Sequence, residues 1–594
     1  MLPSSNRWTA SAARLNRKSR TVAVRPHWRP SVELLEDRSV PAVGTWQPLV
    51  NAAPNGAGTM LLQTDGTVLA CSGFDSIDRQ WFRLTPDANG SYVNGTWSQI
   101  PSMRDTRLFD YSGILRDGRM FVAGGEYGTG GDTAEIYDPV SNTWSVTSRE
   151  PFGDIGDLQG MVLRDGRVLL GYRFGPDTRI YNPTTNTWSV GPRDNFGNAG
   201  DEESYVLLPG GDILTVDVGR FGAQRLSQNT MSWRAAANPP VQLWDGILEI
   251  GATVLLYDGR TLTIGTSNPG GTSATALYNP VANTWATGPN LPGNNAADDA
   301  PAAVMPNGHV LVVADRGFFN GPSSMFEYDP IANQFTSVPD PTPGFNNSSC
   351  FLQRFLQLPN GQILVSNAGS QLYAYTPSGT ALASWRPTVM SVTSNGGGVF
   401  TLRGTQLNGL TEGCYYGDDV AMSSNFPLVR LVNNTTGSVT YARTFNFSTM
   451  AVATGRFTPV SCQFQLPSLP SGSYTLYAVA NGIPSNGFRF TVSGGAAPSS
   501  QSPGGQTPPQ PGASLMASGG STPGDGSFVK PPPSANSSRQ TGGEITTSLP
   551  PALANPPRSD SGSSSAAGAV TTLVSMSAPT LDLRTDWWNA LGAN

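Results

Sequence analysis

Residues 116–125, RDGRMFVAGG, place apolar runs on either side of an Asp-Gly step. Asp-Gly, Asn-Gly or Gly-Gly between apolar runs predicts a β-hairpin, read here as a type I′ turn with positive φ at both central residues. The pattern returns as MLLQTDGTVLACSG (60–73), MVLRDGRVLLG (161–171), YVLLPGGDILTV (205–216), TVLLYDGRTLTIG (253–265), AVMPNGHVLVV (303–313) and FLQLPNGQILV (355–365). The turn glycines are Gly66, Gly118, Gly166, Gly211, Gly259, Gly308 and Gly361, so successive copies start 45 to 53 residues apart. A fixed period of this size decides the fold before any single segment is assigned.

A third strand follows in AEIYDPVSNTW (134–144), TRIYNPTTNTW (178–188), TALYNPVANTW (275–285) and FEYDPIANQF (326–335), and the Trp or Phe after the Asn-containing turn opens a fourth. Four strands per unit at a period near 50 resemble the kelch repeat. Seven units closed around an axis leave no long unpaired sheet edge. TWQPL (45–49) precedes the first hairpin and is read as the outer strand that completes the last blade. After ASWRPTV (383–389) the period stops, and alternation in SYTLYAVANGIPSNGFRFTV (473–492) predicts an immunoglobulin-like sandwich. The expected fold is therefore all-β: a seven-bladed propeller over 44–386, a sandwich over 387–493, and disordered termini.

The composition agrees, with 68 Gly, 49 Pro and 13 Trp in 594 residues. A net charge of −6, from 36 basic and 42 acidic residues, is too weak a field to favour nucleic acid or anionic membrane. No apolar stretch reaches the roughly 18 residues of a membrane-spanning helix. The two histidines, His27 and His309, and four cysteines, without CxxC or HExxH spacing, argue against zinc, haem and His-dependent triads. His309 reads as an ordinary strand residue after a turn. Four cysteines permit three disulfide pairings, or four buried thiols. Pairing by segment joins Cys414 to Cys462 and Cys71 to Cys350, the latter two in blades one and seven, neighbours in a closed ring.

Residues 1–43 form a basic arm without the apolar core of a signal peptide. VELLEDRSVPA (32–42) resembles the LEDR-type motif near the N-termini of exported and surface proteins of planctomycete bacteria, which implies an extracytoplasmic, secreted or cell-surface location. Residues 494–575, rich in Ser, Gly and Pro, read as a flexible linker. Residues 576–594 read as a tail in which Trp587 and Trp588 could dock.

The propeller followed by this sandwich resembles galactose oxidase and related copper-radical oxidases over roughly 44–493. The likeness is carried by MRDTRLFDYSGILRDGRMFVAGG (103–125), WRPTVMSV (385–392), YYGDD (415–419) and the strand pair at 473–492. It implies copper held by two histidines and two tyrosines, one tyrosine cross-linked to a cysteine. The matching positions hold other residues: Ala57 for the cysteine, Phe109 for the cross-linked tyrosine, Phe351-Leu352 for a Tyr-His pair, and DDVAMSS (418–424) where a histidine loop is implied. Copper is therefore not an expected cofactor.

The same likeness places the residue nine before each turn glycine at the axial mouth: Ala57, Phe109, Asp157, Glu202, Ile250, Asp299 and Leu352, with Asp201, Glu203, Glu249 and Asp298 beside them. Asp157, Glu202 and Asp299 are a candidate calcium site or a set of hydrogen-bond partners for sugar hydroxyls, with Phe109 and Arg107 completing a ligand site. The alternative is that these acids satisfy loop amides or pair with arginines such as Arg104 and Arg107. Trp97, Trp144, Trp188, Trp233 and Trp285 recur at one phase and read as blade packing. The functional expectation is an exported, non-catalytic module that binds carbohydrate or another surface protein. The competing readings are a copper-radical oxidase with displaced ligands and a carboxylate-dependent polysaccharide hydrolase or lyase.

Overall fold

A computed structural model describes residues 43–493 apart from 74–78, 127–128, 157, 174, 198–202, 246–247, 268–272, 294, 318, 413 and 416–424, with backbone only for 414–415. The basic arm, the linker and the tail expected from the sequence lie outside the described residues.

Seven antiparallel four-stranded sheets follow one another along the chain, and the first strands of neighbouring blades pack around the axis. Blade two is typical, with strands Tyr111–Ile114, Met120–Ala123, Ala134–Asp138 and Thr143–Val146. The ring closes as TWQPL suggested. Thr45–Pro48 pairs antiparallel with Tyr373–Thr376 as the outer strand of blade seven, Trp46 opposite Tyr375.

The hairpins form in the expected places by a different turn. In blade one Gly66 N–H bonds to Gln63 O and Gln63 N–H to Thr67 O. Positive φ is confined to the glycine, 77° at Gly66, and Asp65 is not left-handed. This is a type I turn closed by a G1 bulge rather than type I′, and the Asp serves as a cap: its Oδ1 accepts the Thr67 N–H at 3.0 Å. One left-handed residue suffices in the Asp-Gly and Asn-Gly turns, whereas the Gly-Gly turn of blade four has two, Gly210 at φ 90° and Gly211 at φ 103°.

The second recurrent turn explains its sequence equally well. Asp138 Oδ1 accepts the Val140 N–H at 2.8 Å, Asn142 takes φ 54°, and its side-chain carbonyl accepts the Tyr137 hydroxyl at 2.6 Å. Tyr137 lies 5.2 Å from Trp144, centroid to centroid. Each Trp then reaches back to the previous blade, with Nε1 of Trp144 donating to Pro101 O at 2.8 Å, Trp188 to Ser148 O at 2.7 Å and Trp285 to Ala237 O at 2.7 Å. The Trp repeat is blade-to-blade packing, as its phase implied.

The C-terminal domain is one eight-stranded sheet running from Thr388–Gly396 to Phe488–Val492. It docks on the hairpin-turn face of the ring in steps of three residues: Thr444 N–H bonds to Thr64 O, Phe447 N–H to Arg116 O and Met450 N–H to Arg164 O, each at 3.1 Å, in blades one, two and three. A Cβ on Gly66 would meet the Tyr441 ring at 2.5–2.7 Å, so this turn needs glycine for space as well as φ. The domain also sends a segment into the axial channel, where Cys414–Tyr415 adds a fifth strand to the inner edge of blade six, opposite Ala302–Ala303.

That segment overturns one expected disulfide. Cys462 is a free thiol in the C-terminal sheet, opposite Leu402, whereas Cys414 has left that sheet for blade six. The second expected bridge, Cys71 to Cys350, is also not formed. Cys350 is a free thiol whose Sγ lies 3.4 Å from Asp298 O, bonded towards blade six instead of blade one.

Candidate binding site at the loop-side mouth

The face opposite the docked domain is lined by the loops that lead into the inner strands. There Gly58, Thr59, Cys71, Ser72, Phe109, Asp110, Leu352 and Arg354 surround a cleft of about 400 Å³, counting its mouth. Phe109 and Leu352, far apart in sequence, both line it, and Ala57 is buried, its carbonyl accepting the Ser366 hydroxyl. Further round the ring Asp299 N–H bonds to Ile250 O at 3.2 Å. Asp157 and Glu202 lie outside the described residues.

Phe109 is left-handed at φ 51°, which a bulky side chain adopts only when its surroundings enforce it. The enforcement comes from both sides of the chain. Leu108 N–H bonds to Thr129 Oγ1 at 3.1 Å, and Asp110, only 2 % exposed, directly precedes the inner strand of blade two. The Arg354 guanidinium stands 5.9 Å from the Phe109 ring centroid.

Arg107 lines the same cleft, but its hydrogen bonds point into the protein. Nη1 donates to Gly124 O at 2.8 Å and Thr133 O at 2.9 Å, and Nη2 pairs with Glu135 Oε1 at 3.3 Å, both side chains fully buried. Glu135 in turn accepts the backbone N–H groups of Arg104 and Asp105 at 2.7 and 3.1 Å. Arg107 therefore holds the loop that presents Phe109.

Asp110 is the polar group that sequence reading passed over. Burial pushes its carboxyl up to about 7, against the lowering pull of Arg107 and Arg354. Its Oδ2 has no hydrogen-bond partner among the described residues. Nothing in LFDYSG separates this aspartate from a turn former.

Asp245, Asp298 and Asp315 lie close enough between blades five and six to act on one another. Asp298, adjacent to the expected Asp299, is pushed up to about 8 by burial and then by the charge of Asp245. Asp315 accepts the Ser349 hydroxyl and the Cys350 N–H, the latter at 2.7 Å. Among the described residues no three His, Cys, Asp or Glu side chains are placed to hold a metal ion.

The donor set at the cleft does not fit a copper centre of two histidines and two tyrosines. Its described lining includes a thiol, a carboxyl and two arginines, without His or Tyr. His309 lies at the other end of its hairpin, with Nδ1 3.0 Å from Glu327 Oε2. His27 is outside the described residues.

Residues 111–148, blade two, match the family model for the Kelch motif. Blade two therefore carries a kelch motif. An F-box/kelch-repeat protein of Arabidopsis thaliana is 31% identical to this chain over 77 residues, 12% of this chain and 16% of that protein, so the match spans about a sixth of the relative's length. Among solved structures, a copper-bound fungal alcohol oxidase of the AA5 family is 15% identical at a TM-score of 0.45, covering 76% of this chain and 100% of that one. Virginiamycin B lyase from Staphylococcus aureus is 9% identical at a TM-score of 0.40, covering 56% and 99%. Among the described residues of the propeller and the C-terminal domain, no helix is long and apolar enough to cross a membrane.

Proposed function

We propose that the kelch propeller is a non-catalytic binding module, exported from the cell, that takes a carbohydrate ligand at the loop-side mouth. The observation that carries this reading is the cleft itself: a strained aromatic residue, Phe109, beside a buried carboxyl, Asp110, that has an oxygen to spare. An aromatic face with a few convergent polar groups is what a sugar ring needs, apolar C–H contact on one side and hydrogen bonds at its edge. The replacement of the copper ligands implied by the galactose oxidase likeness supports binding over oxidation. The LEDR-type segment at 35–38 supports export.

The test is a glycan panel applied to the full chain, with binding, product release and alcohol-dependent peroxide measured together. Binding without turnover, weakened about tenfold by Phe109→Ala, is the expected result; a stacked aromatic contributes about 0.5–1.5 kcal/mol beyond its burial. Peroxide formation with stoichiometric copper, or glycan cleavage, would replace this reading with an enzymatic one.

A further inference from the structure

Thr388–Gly396 is the terminal strand of the C-terminal sheet and pairs on one side with Val399–Thr405. Its other side, nine residues long, has no partner strand among the described residues. Seven of the nine residues are exposed, Met390 by 57%, and only Val389 and Val392 are half-buried. Edge strands of folded proteins are commonly guarded by charge, by proline or by brevity. This strand is long, its proline stands just before it at Pro387, and no charged side chain occurs between Arg386 and Arg403. A row of N–H and C=O groups without such a guard is a template for another strand.

The residues of the edge select the partner. Residues 388–393 read TVMSVT, with Thr-Val at one end and Val-Thr at the other. A two-fold axis perpendicular to the sheet, between Met390 and Ser391, sets two copies antiparallel with Thr388 opposite Thr393, Val389 opposite Val392 and Met390 opposite Ser391. Opposed residues must share a face of the sheet, and in a regular strand two residues three apart lie on opposite faces. A bulge removes that conflict here. Val389 stands opposite Gly404 and Ser391 opposite Arg403, so Met390 is the extra residue, and Val389 and Val392 are both half-buried. Bulges commonly turn an edge away from partners, but one lying on the symmetry axis meets its own copy. The matched β-branched pairs favour the contact, and with no charge in the strand none meets its like across the axis.

We propose that Thr388–Gly396 is a homodimer edge, at which a second copy of this chain pairs antiparallel about a two-fold axis at Met390-Ser391 and continues the C-terminal sheet across both chains. Such a contact uses the same patch on both copies and closes on itself, so assembly stops at two. The edge is separate from the loop-side cleft, and the inference stands without the carbohydrate reading.

One strand pair buries less than the roughly 1,200 Å² of a standard interface, so the expected dimer is weak, half-formed at about 10–100 µM chain. Sedimentation equilibrium on the full chain across that range tests it. Ser391 is exposed and next to the axis, so a charge placed there lies beside its own image. Ser391→Asp and Ser391→Lys should each weaken association at least about tenfold through like-charge repulsion, with thermal melts close to those of the native chain. An equal mixture of the two variants should associate again as a heterodimer, which neither a misfolded chain nor a contact elsewhere on the surface would do. The inference fails if the native chain stays monomeric through that range, if association survives both substitutions, or if the mixture does not recover it.

Discussion

At the scale of single residues, the loop-side cleft joins strain to an ill-placed charge. Asp110 has a folded value near 7, raised by burial above the ordinary 3.8. The sign follows from linkage: the folded state holds this proton more tightly than the unfolded state, so the side chain lowers stability as pH rises from about 4 through 7, and the penalty is fully present above 7. Asp110→Asn should therefore raise Tm more at pH 8 than at pH 4. Thermal melts of the two proteins at both pH values decide it, and an equal effect at both would mean that Asp110 titrates normally. Arg107 illustrates the opposite case: a charged residue expected to meet a ligand bonds to Gly124 O and Thr133 O and pairs with Glu135, all within blade two.

Elements are held in register by one repeated device. In blades two, three and five the Tyr of the third strand buries its ring against the following Trp and its hydroxyl against a left-handed Asn, as at Tyr181, Trp188 and Asn186. The indole N–H then bonds to the preceding blade. Trp188→Phe retains most of the ring contact and removes that bond, which should cost at least about 0.5–1.5 kcal/mol in urea unfolding. If the loss were nil, the N–H would have to be satisfied by water, and blade packing would rest on ring burial alone.

At the scale of the whole molecule, stability depends on closing the ring. Glu327 of blade six accepts the Gly44 N–H at 3.1 Å and the Tyr375 hydroxyl through Oε1, while His309 Nδ1 lies 3.0 Å from Oε2. This cluster ties blade six to the closing strand and to blade seven. His309 is raised above 6.5, chiefly by its hydrogen bond to Glu327, with Asp329 also near. Burial raises Glu327, but its bonds to His309, Tyr375 and Gly44 outweigh that and hold it below 4.5. The His309 contribution is fully present below 6.5 and is lost as pH rises through its raised value; the Glu327 contribution is present above 4.5 and is lost as pH falls through its lowered value. His309→Gln should thus lower Tm most between about pH 4.5 and 6.5 and little at pH 9, as a pH series of melts would record. A deficit independent of pH would assign His309 to packing alone.

The amino-acid sequence by itself determined the blade count, the strand order within each blade, the closing strand and the Trp packing, because each depends on contacts repeated at a fixed local spacing. The likeness to the copper-radical oxidases implied a mouth shared by Phe109 and Leu352, and both line the loop-side cleft. Tertiary structure alone decided the rest. Whether Arg107 faces a ligand or Glu135, whether Cys350 bonds towards blade six or blade one, and whether Asp110 keeps an oxygen without a partner among the described residues all depend on neighbours from distant segments. Burial and partner choice set the chemistry of a charged or sulfur-bearing side chain, and neither is a property of the residues next to it in the chain.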